Sequence, residues 1–167
     1  MDTFAHGLWS NIVFHRLSWR QRAWAIFFGM APDIFSFGPH VAYLLATRAF
    51  RFHSDPPDYA VFLYKYAHSL IIFGTVLAVV ALVRYWRGSA SIFWLPLFGW
   101  AFHICIDILT HTKDFFPTPF LYPMFDVKLS GIDWTDSTFM VVNYTLILMA
   151  YIQLWWRMRS RCHKLSV

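Results

Sequence analysis

Three long apolar stretches constrain this chain more than any other feature. They run roughly over Tyr66–Val83, Ile92–Thr110 and Phe139–Trp156, each close to the roughly 20 residues that a helix needs to cross a hydrocarbon core. Of the 167 residues, 58% are hydrophobic and 14% charged, and Glu is absent, whereas soluble domains carry about 25% charged residues. A water-soluble fold of this length has too little interior to hide so much apolar surface. Lipid is therefore the expected solvent for much of the chain. Eighteen Phe, nine Trp and eight Tyr fit that solvent, because aromatic rings anchor helices at both bilayer interfaces.

The expected fold is all-α: a small polytopic transmembrane bundle forming one membrane-embedded domain over residues 1–167. Two shorter apolar segments, about Phe4–Phe14 and Ala23–Ala31, precede the long ones and are joined by Arg16, Arg20 and Arg22. They predict an N-terminal hairpin of short helices over about residues 4–31. Pro32 is expected to end its second arm, with a loop over Asp33–Pro39 and a short helix over His40–Phe50. Arg51–Asp58 reads as a loop. The segment 112–136 is too broken by proline for a long helix and too apolar for an ordinary loop, which suits a cap over the bundle or an interfacial plug. Thr3–Phe14 lacks a preceding basic residue, so no cleavable signal peptide is expected. Cys105 and Cys162 fall in an apolar helix and a basic tail and predict no disulfide.

Charge gives an expected orientation. Arg16, Arg20, Arg22, Arg84, Arg87, Arg157, Arg159, Arg161 and Lys164 fall on one face if successive helices alternate direction. The positive-inside rule makes that face, and the C-terminus, cytoplasmic. Arg48, Arg51, Lys65, Lys113 and Lys128 dissent. The formal charge of +5 follows from this membrane pattern, so no nucleic-acid partner is expected.

The chemistry is concentrated in His103-x3-Asp107-x3-His111. Steps of four residues drift by only about 40° around a helix, so all three side chains share one stripe. Imidazole nitrogen and carboxylate oxygen suit zinc, manganese or iron, and ionisable groups in an apolar helix mark function. A single such residue is more often a satisfied core histidine or a buried acceptor; three on one stripe reverse that balance. Hairpin geometry carries His6 and Asp33 to one end, and His68 opens the first long helix at the same end. The predicted metal ligands are thus His6, Asp33, His68, His103, Asp107 and His111. Asp33 or Asp107 is the expected general base. His15 and His163 read as solvated, and His40 and His53 as weaker ligand candidates. Ser69 and Thr110 would either orient ligands or satisfy their own helix backbone. Asp126, Asp133 and Asp136 are open between ligand, base and cap, with Asp136 favoured as the cap of the last helix.

The ordered motifs Thr3-Phe4-Ala5-His6, Gly29-Met30-Ala31-Pro32-Asp33, Ala67-His68-Ser69 and Gly99-x3-His103-x3-Asp107-x2-Thr110 resemble the LexA-regulated, membrane-bound, metal-dependent hydrolases over roughly residues 3–125. That resemblance implies a small helical membrane bundle with hydrolase chemistry. A more distant likeness is to zinc-dependent phospholipase C and the fungal single-strand nucleases. It implies that Asp33, His68, His103 and Asp107 hold one metal. Asp107 would bridge to a second metal also held by His6, and His111 would belong to a further site. The chain departs from that pattern in lacking an N-terminal Trp ligand and a later His/Glu pair, so one or two ions are expected rather than three.

The expectation is therefore a hydrolase of a bacterial plasma membrane that uses a divalent metal, zinc first. Its site would face the extracytoplasmic side, with membrane lipid as partner and a phosphoester or lipid-like small molecule as substrate. Two other classes remain open: a haem-binding electron-transfer protein with His68 and His103 as axial ligands, and an ion-binding transporter or non-catalytic scaffold.

Overall fold

A computed structural model of the chain describes residues 1–48 and 56–165, with side chains through residue 160. The candidate ligand His53 and most of the predicted loop 51–58 lie outside the described residues, as do the side chains of Cys162 and His163. Among the described residues the secondary structure is entirely helical. The elements are α1 (Thr3–Val13), α2 (Trp19–Ala46), α3 (Asp58–Ala67), α4 (Leu70–Trp86), a 3-10 turn at Leu95–Leu97 that leads into α5 (Phe98–Thr110), and α6 (Ser137–Leu165).

Helices α1 and α2 form the expected hairpin around the turn that carries His15 and Arg16. Asp2 caps α1 by accepting the Ala5 N–H, and Ser18 caps α2 by accepting from Gln21. The hairpin's second arm does not end at Pro32. Helix α2 runs for 28 residues through both Pro32 and Pro39, so the predicted Asp33–Pro39 loop and the separate His40–Phe50 helix are replaced by its continuation. A proline removes one backbone donor and presses on the carbonyl four residues earlier. Neighbouring segments can satisfy the freed groups in a packed bundle. Pro32 and Pro39 leave the Phe28 and Phe35 carbonyls without their usual helical donors; in the turns beside them the Ser36 hydroxyl donates to the Pro32 carbonyl, 2.6 Å away, and the Gly29 carbonyl accepts from His103 Nδ1 at 2.7 Å.

The stretch expected as one helix over residues 66–83 is divided. Helix α3 ends at Ala67, α4 starts at Leu70, and the two meet at 57°. Ser69 explains the break: its hydroxyl accepts from the N–H groups of Ile71 and Ile72, restarting the helix one residue after His68. The Ser69 hydroxyl also donates to the Tyr122 carbonyl. The stretch 92–110 likewise begins later as an α-helix, because Pro96 occupies the entry turn and α5 starts at Phe98.

Helix α5 crosses α2 closely. A Cβ at Gly99 would sit far inside contact distance of the Ala25 backbone carbonyl, so only glycine permits the approach. Ile104, Leu97 and Phe73 pack on the other side of α5. Helix α6 rests on α1 through Ile147 against Met1 and Ala5, with Trp9 donating to Asn143 Oδ1 at 2.9 Å. Its other faces are bare: Val141, Val142, Leu146, Leu148, Met149 and Ile152 are exposed. The 24-residue portion Ser137–Ser160 is long and apolar enough to cross a membrane, and at about 1.5 Å per residue it exceeds the roughly 30 Å hydrocarbon thickness.

Segment 112–136 is tied down by its main chain. Gly131, Ile132 and Trp134 donate N–H bonds to the carbonyls of His111, Leu109 and Thr110 at 2.7, 2.9 and 3.2 Å. Those are carbonyls that the end of α5 leaves unpaired. At its other side the Phe120 carbonyl accepts the Leu70 N–H at 2.8 Å. One loop therefore clamps the two places that present His68 and His111.

Candidate metal centre

Four ligand atoms, one each from Asp33, His68, His103 and Asp107, lie within 4.8 Å of one another. They come from three places in the fold: the turn after Pro32 in α2, the α3–α4 break, and one stripe of α5. His68, His103 and Asp107 are fully buried, and the Asp33 side chain is 12% exposed. A buried His/Asp cluster of this kind could bind a metal ion.

Hydrogen bonding fixes what the cluster offers. His103 Nδ1 lies 2.7 Å from the Gly29 carbonyl and His68 Nδ1 lies 3.1 Å from the Tyr64 carbonyl. A carbonyl only accepts, so each Nδ1 carries the proton and, in the neutral ring, each Nε2 presents a lone pair. The two Nε2 atoms are nevertheless 3.0 Å apart. Asp107 Oδ2 lies 3.1 Å from His103 Nε2 and 3.3 Å from His68 Nε2, and it has no hydrogen-bond partner. Asp33 Oδ1 stands 3.4 and 3.7 Å from the same nitrogens. Four electron-pair donors thus face one another with no donor hydrogen between them when the imidazoles are neutral. Such a set calls for a cation, either a metal or added protons.

The opposite side of Asp107 is arranged differently. The Met1 amine donates to Asp107 Oδ1 at 2.6 Å and to Thr110 Oγ1 at 3.1 Å, and lies 3.0 Å from His111 Nε2. His111 Nδ1 donates to the Phe116 carbonyl at 2.7 Å, so its Nε2 is free to accept. His6 Nε2 reaches Asp107 Oδ1 at 2.9 Å, leaving its Nδ1 buried and unpaired. The His6 ring stacks on His103 with centroids 3.7 Å apart. Apart from His6 Nδ1, this side is satisfied by its own hydrogens, whereas the Asp33 side is not. Burial holds the His111 pKa below its ordinary value, against the pull of the nearby Asp107 charge.

All six sequence-predicted ligands therefore converge around Asp107, in two groups. His40 is outside the four-ligand group, in α2 beyond Asp33. Asp126 pairs with Lys128 at 3.1 Å. Asp133 accepts from the hydroxyl and N–H of Thr135, which hold its carboxyl below the usual range. Asp136 accepts the Phe139 N–H at 2.9 Å and caps α6.

Sequence reasoning missed two supporting side chains. Thr3 donates to Asp33 Oδ2 at 2.8 Å, which leaves Oδ1 turned to the imidazoles. Tyr64 stacks on His68 with centroids 3.9 Å apart, and its hydroxyl donates to the Phe116 carbonyl at 3.2 Å. Tyr64 precedes His68 by one helical turn, a spacing that places both on one face; for Thr3 only its place in the Thr3–His6 motif was a signal.

The cluster opens to a cavity of about 260 Å³ lined by Asp33, His111, Phe37, Phe115, Phe116 and Trp134, among others. A second cavity of about 650 Å³ shares Tyr64 and Phe116 with it and contains Lys65 and Lys128 amid prolines and aromatics. Comparisons with protein-family models, with curated proteins and with solved structures return no match.

Proposed function

We propose that this chain is a polytopic membrane hydrolase in which Asp33, His68, His103 and Asp107 hold one zinc ion. The observation that carries the reading is the pair of facing imidazoles. Each has its proton committed to a main-chain carbonyl, and their bare nitrogens are 3.0 Å apart beside two carboxylates. Ligand atoms about 2.0–2.1 Å from a tetrahedral ion stand about 3.3 Å from one another. Five of the six separations among the four ligand atoms, those that involve an imidazole, are 3.0 to 3.7 Å and match that spacing.

Zinc held there would supply acidity to water at neutral pH and would polarise a phosphoryl or carbonyl oxygen, provided that one of the four side chains yields its place to the water. The chain's own residues divide the remaining work. Asp107, wholly buried, neutralises charge and holds the imidazole end of the cluster. Asp33 alone among the four lines the open cavity, so it is the carboxylate that, once released from the ion, would receive a proton from water as general base. Thr3 fixes which Asp33 oxygen faces the imidazoles. Aromatic rings at the mouth exclude water and accept an apolar chain, and Lys65 in the adjoining cavity favours an anionic group. A lipid-like phosphoester suits that combination. Among the described residues one set of four ligand atoms gathers at a single point, so one ion is the expected content.

Haem fits less well, since a porphyrin plane cannot pass between nitrogens 3.0 Å apart with two carboxylates beside them. The proposed topology puts the site at the extracytoplasmic face of a bacterial plasma membrane and the C-terminus in the cytoplasm. Elemental analysis of detergent-purified protein, followed by assay of the zinc-loaded chain on phosphomonoester and phosphodiester lipids, tests the reading. About one zinc per chain with lipid hydrolysis supports it. A Soret band, or bound metal with ion flux in liposomes and no hydrolysis, refutes it.

A further inference from the structure

At the far end of the bundle a different chemistry is assembled. The α1–α2 turn, the first turn of α2 and the α6 segment around residue 157 enclose a cavity of about 390 Å³, within the range of small-molecule sites. Its lining includes Arg16, Arg22 and Arg157 together with Leu154, Trp155 and Met158, and no acidic residue. Among the described residues, arginine and lysine make one ion pair with a carboxylate, Lys128 with Asp126. The three guanidinium groups therefore share a cavity without a neutralising partner. Two of its lining residues are tied to each other, Asn11 donating to the Tyr151 hydroxyl at 2.6 Å, and a third, Trp155, is covered by Arg159 from outside the lining at 4.0 Å.

Three arginines lining one cavity, Arg16 and Arg157 exposed and Arg22 half-buried, concentrate positive charge that an anion would offset. Guanidinium forks match phosphate oxygens in geometry as well as charge. A free phosphate would leave the apolar half of the lining unused. A phospholipid uses both halves, because Ile152, Trp155, Trp156 and Met158 are exposed beside the cavity and offer acyl chains a surface along α6. An amine-bearing headgroup would bring a positive charge into a cavity that already holds three.

We propose that this cavity binds the phosphodiester headgroup of an anionic glycerophospholipid that carries no headgroup amine. The site is at the opposite end of the bundle from the metal centre and does not depend on the hydrolase reading. Basic pockets between membrane helices take up such lipids elsewhere; here the pocket joins the N-terminal hairpin to the final helix.

The test is native mass spectrometry of the detergent-purified full chain with added phosphatidylglycerol or phosphatidylcholine of the same acyl composition. Phosphatidylglycerol should be retained in preference. The double variant Arg16→Gln/Arg157→Gln should weaken that retention about 30-fold. The control Arg84→Gln/Arg87→Gln, with the same change in net charge outside the cavity, should leave retention intact. A cooperative thermal melt and a single elution peak in detergent, read in both variants, report that the bundle is folded. A double variant that fails to fold is replaced by single Arg16→Gln and Arg157→Gln changes, each expected to weaken retention about fivefold. Equal retention of the two lipids overturns the proposal. So does an equal effect of the two double variants, or displacement of the lipid by millimolar inorganic phosphate.

Discussion

Asp33→Asn is the most informative single change. It preserves volume, and the side chain is 12% exposed, so the helix and the bond from the Thr3 hydroxyl can persist while the anionic ligand is lost. Loss of a supporting group around a metal typically lowers affinity 10- to 100-fold, so loss of a ligand itself should exceed about 100-fold, or about 2.7 kcal/mol. The same number reappears in stability. A metal present at about 1,000 times its Kd stabilises the folded chain by about 4.1 kcal/mol, and a 100-fold weaker site at the same concentration contributes about 1.4 kcal/mol. Competition with a chromophoric chelator gives the affinity, and thermal melts with and without chelator give the stabilisation. The two readouts should fall together in the variant. Wild-type affinity in Asp33→Asn, or melts that ignore the chelator in both proteins, would refute the four-ligand geometry.

Thr3→Ala removes the bond that orients Asp33 and should cost about 10- to 100-fold in zinc affinity, measured by the same competition, with no change in oligomeric state. Bound metal should fall on acidification, because a metal binds only ligands that have released their protons; elemental analysis after dialysis across a falling pH series checks it. Gly99→Ala forces a Cβ against the Ala25 carbonyl and should destabilise by about 1–3 kcal/mol. Gly74→Ala, which meets nothing within 4 Å, should be neutral or stabilising by up to about 1 kcal/mol in the same melts. In a chain whose native cysteines are replaced, a cysteine at 126 should label from outside the cell and one at 88 only after permeabilisation.

The helical class and the gathering of His6, Asp33, His68, His103, Asp107 and His111 were legible because both follow from periodicity and from alternating helix direction. The path of α2 was not. Pro32 reads as a stop in a single sequence, yet a helix packed against neighbours can carry a proline through. The break at His68 was hidden for a related reason: Ser69 looks like one more residue of an apolar run until its hydroxyl is seen capping the next helix. Thr3 escaped notice because a hydroxyl has no signature of its own; its role exists only where α1 meets α2. The grouping of Arg16, Arg22 and Arg157 in one cavity refines a charge pattern that was visible, since the pattern gave an end of the bundle but not a shared enclosure.

The loop after His111 bears on how anything could enter. Its N–H groups cover the three carbonyls at the end of α5, and swinging it aside would cost those bonds, about 1–3 kcal/mol for each oxygen that stays buried without a new partner. A hinged lid is thus a poor design for this chain. Traffic to Asp33 should instead pass between side chains, with Phe115 and Trp134 turning like shutters while the main chain behind them stays fastened.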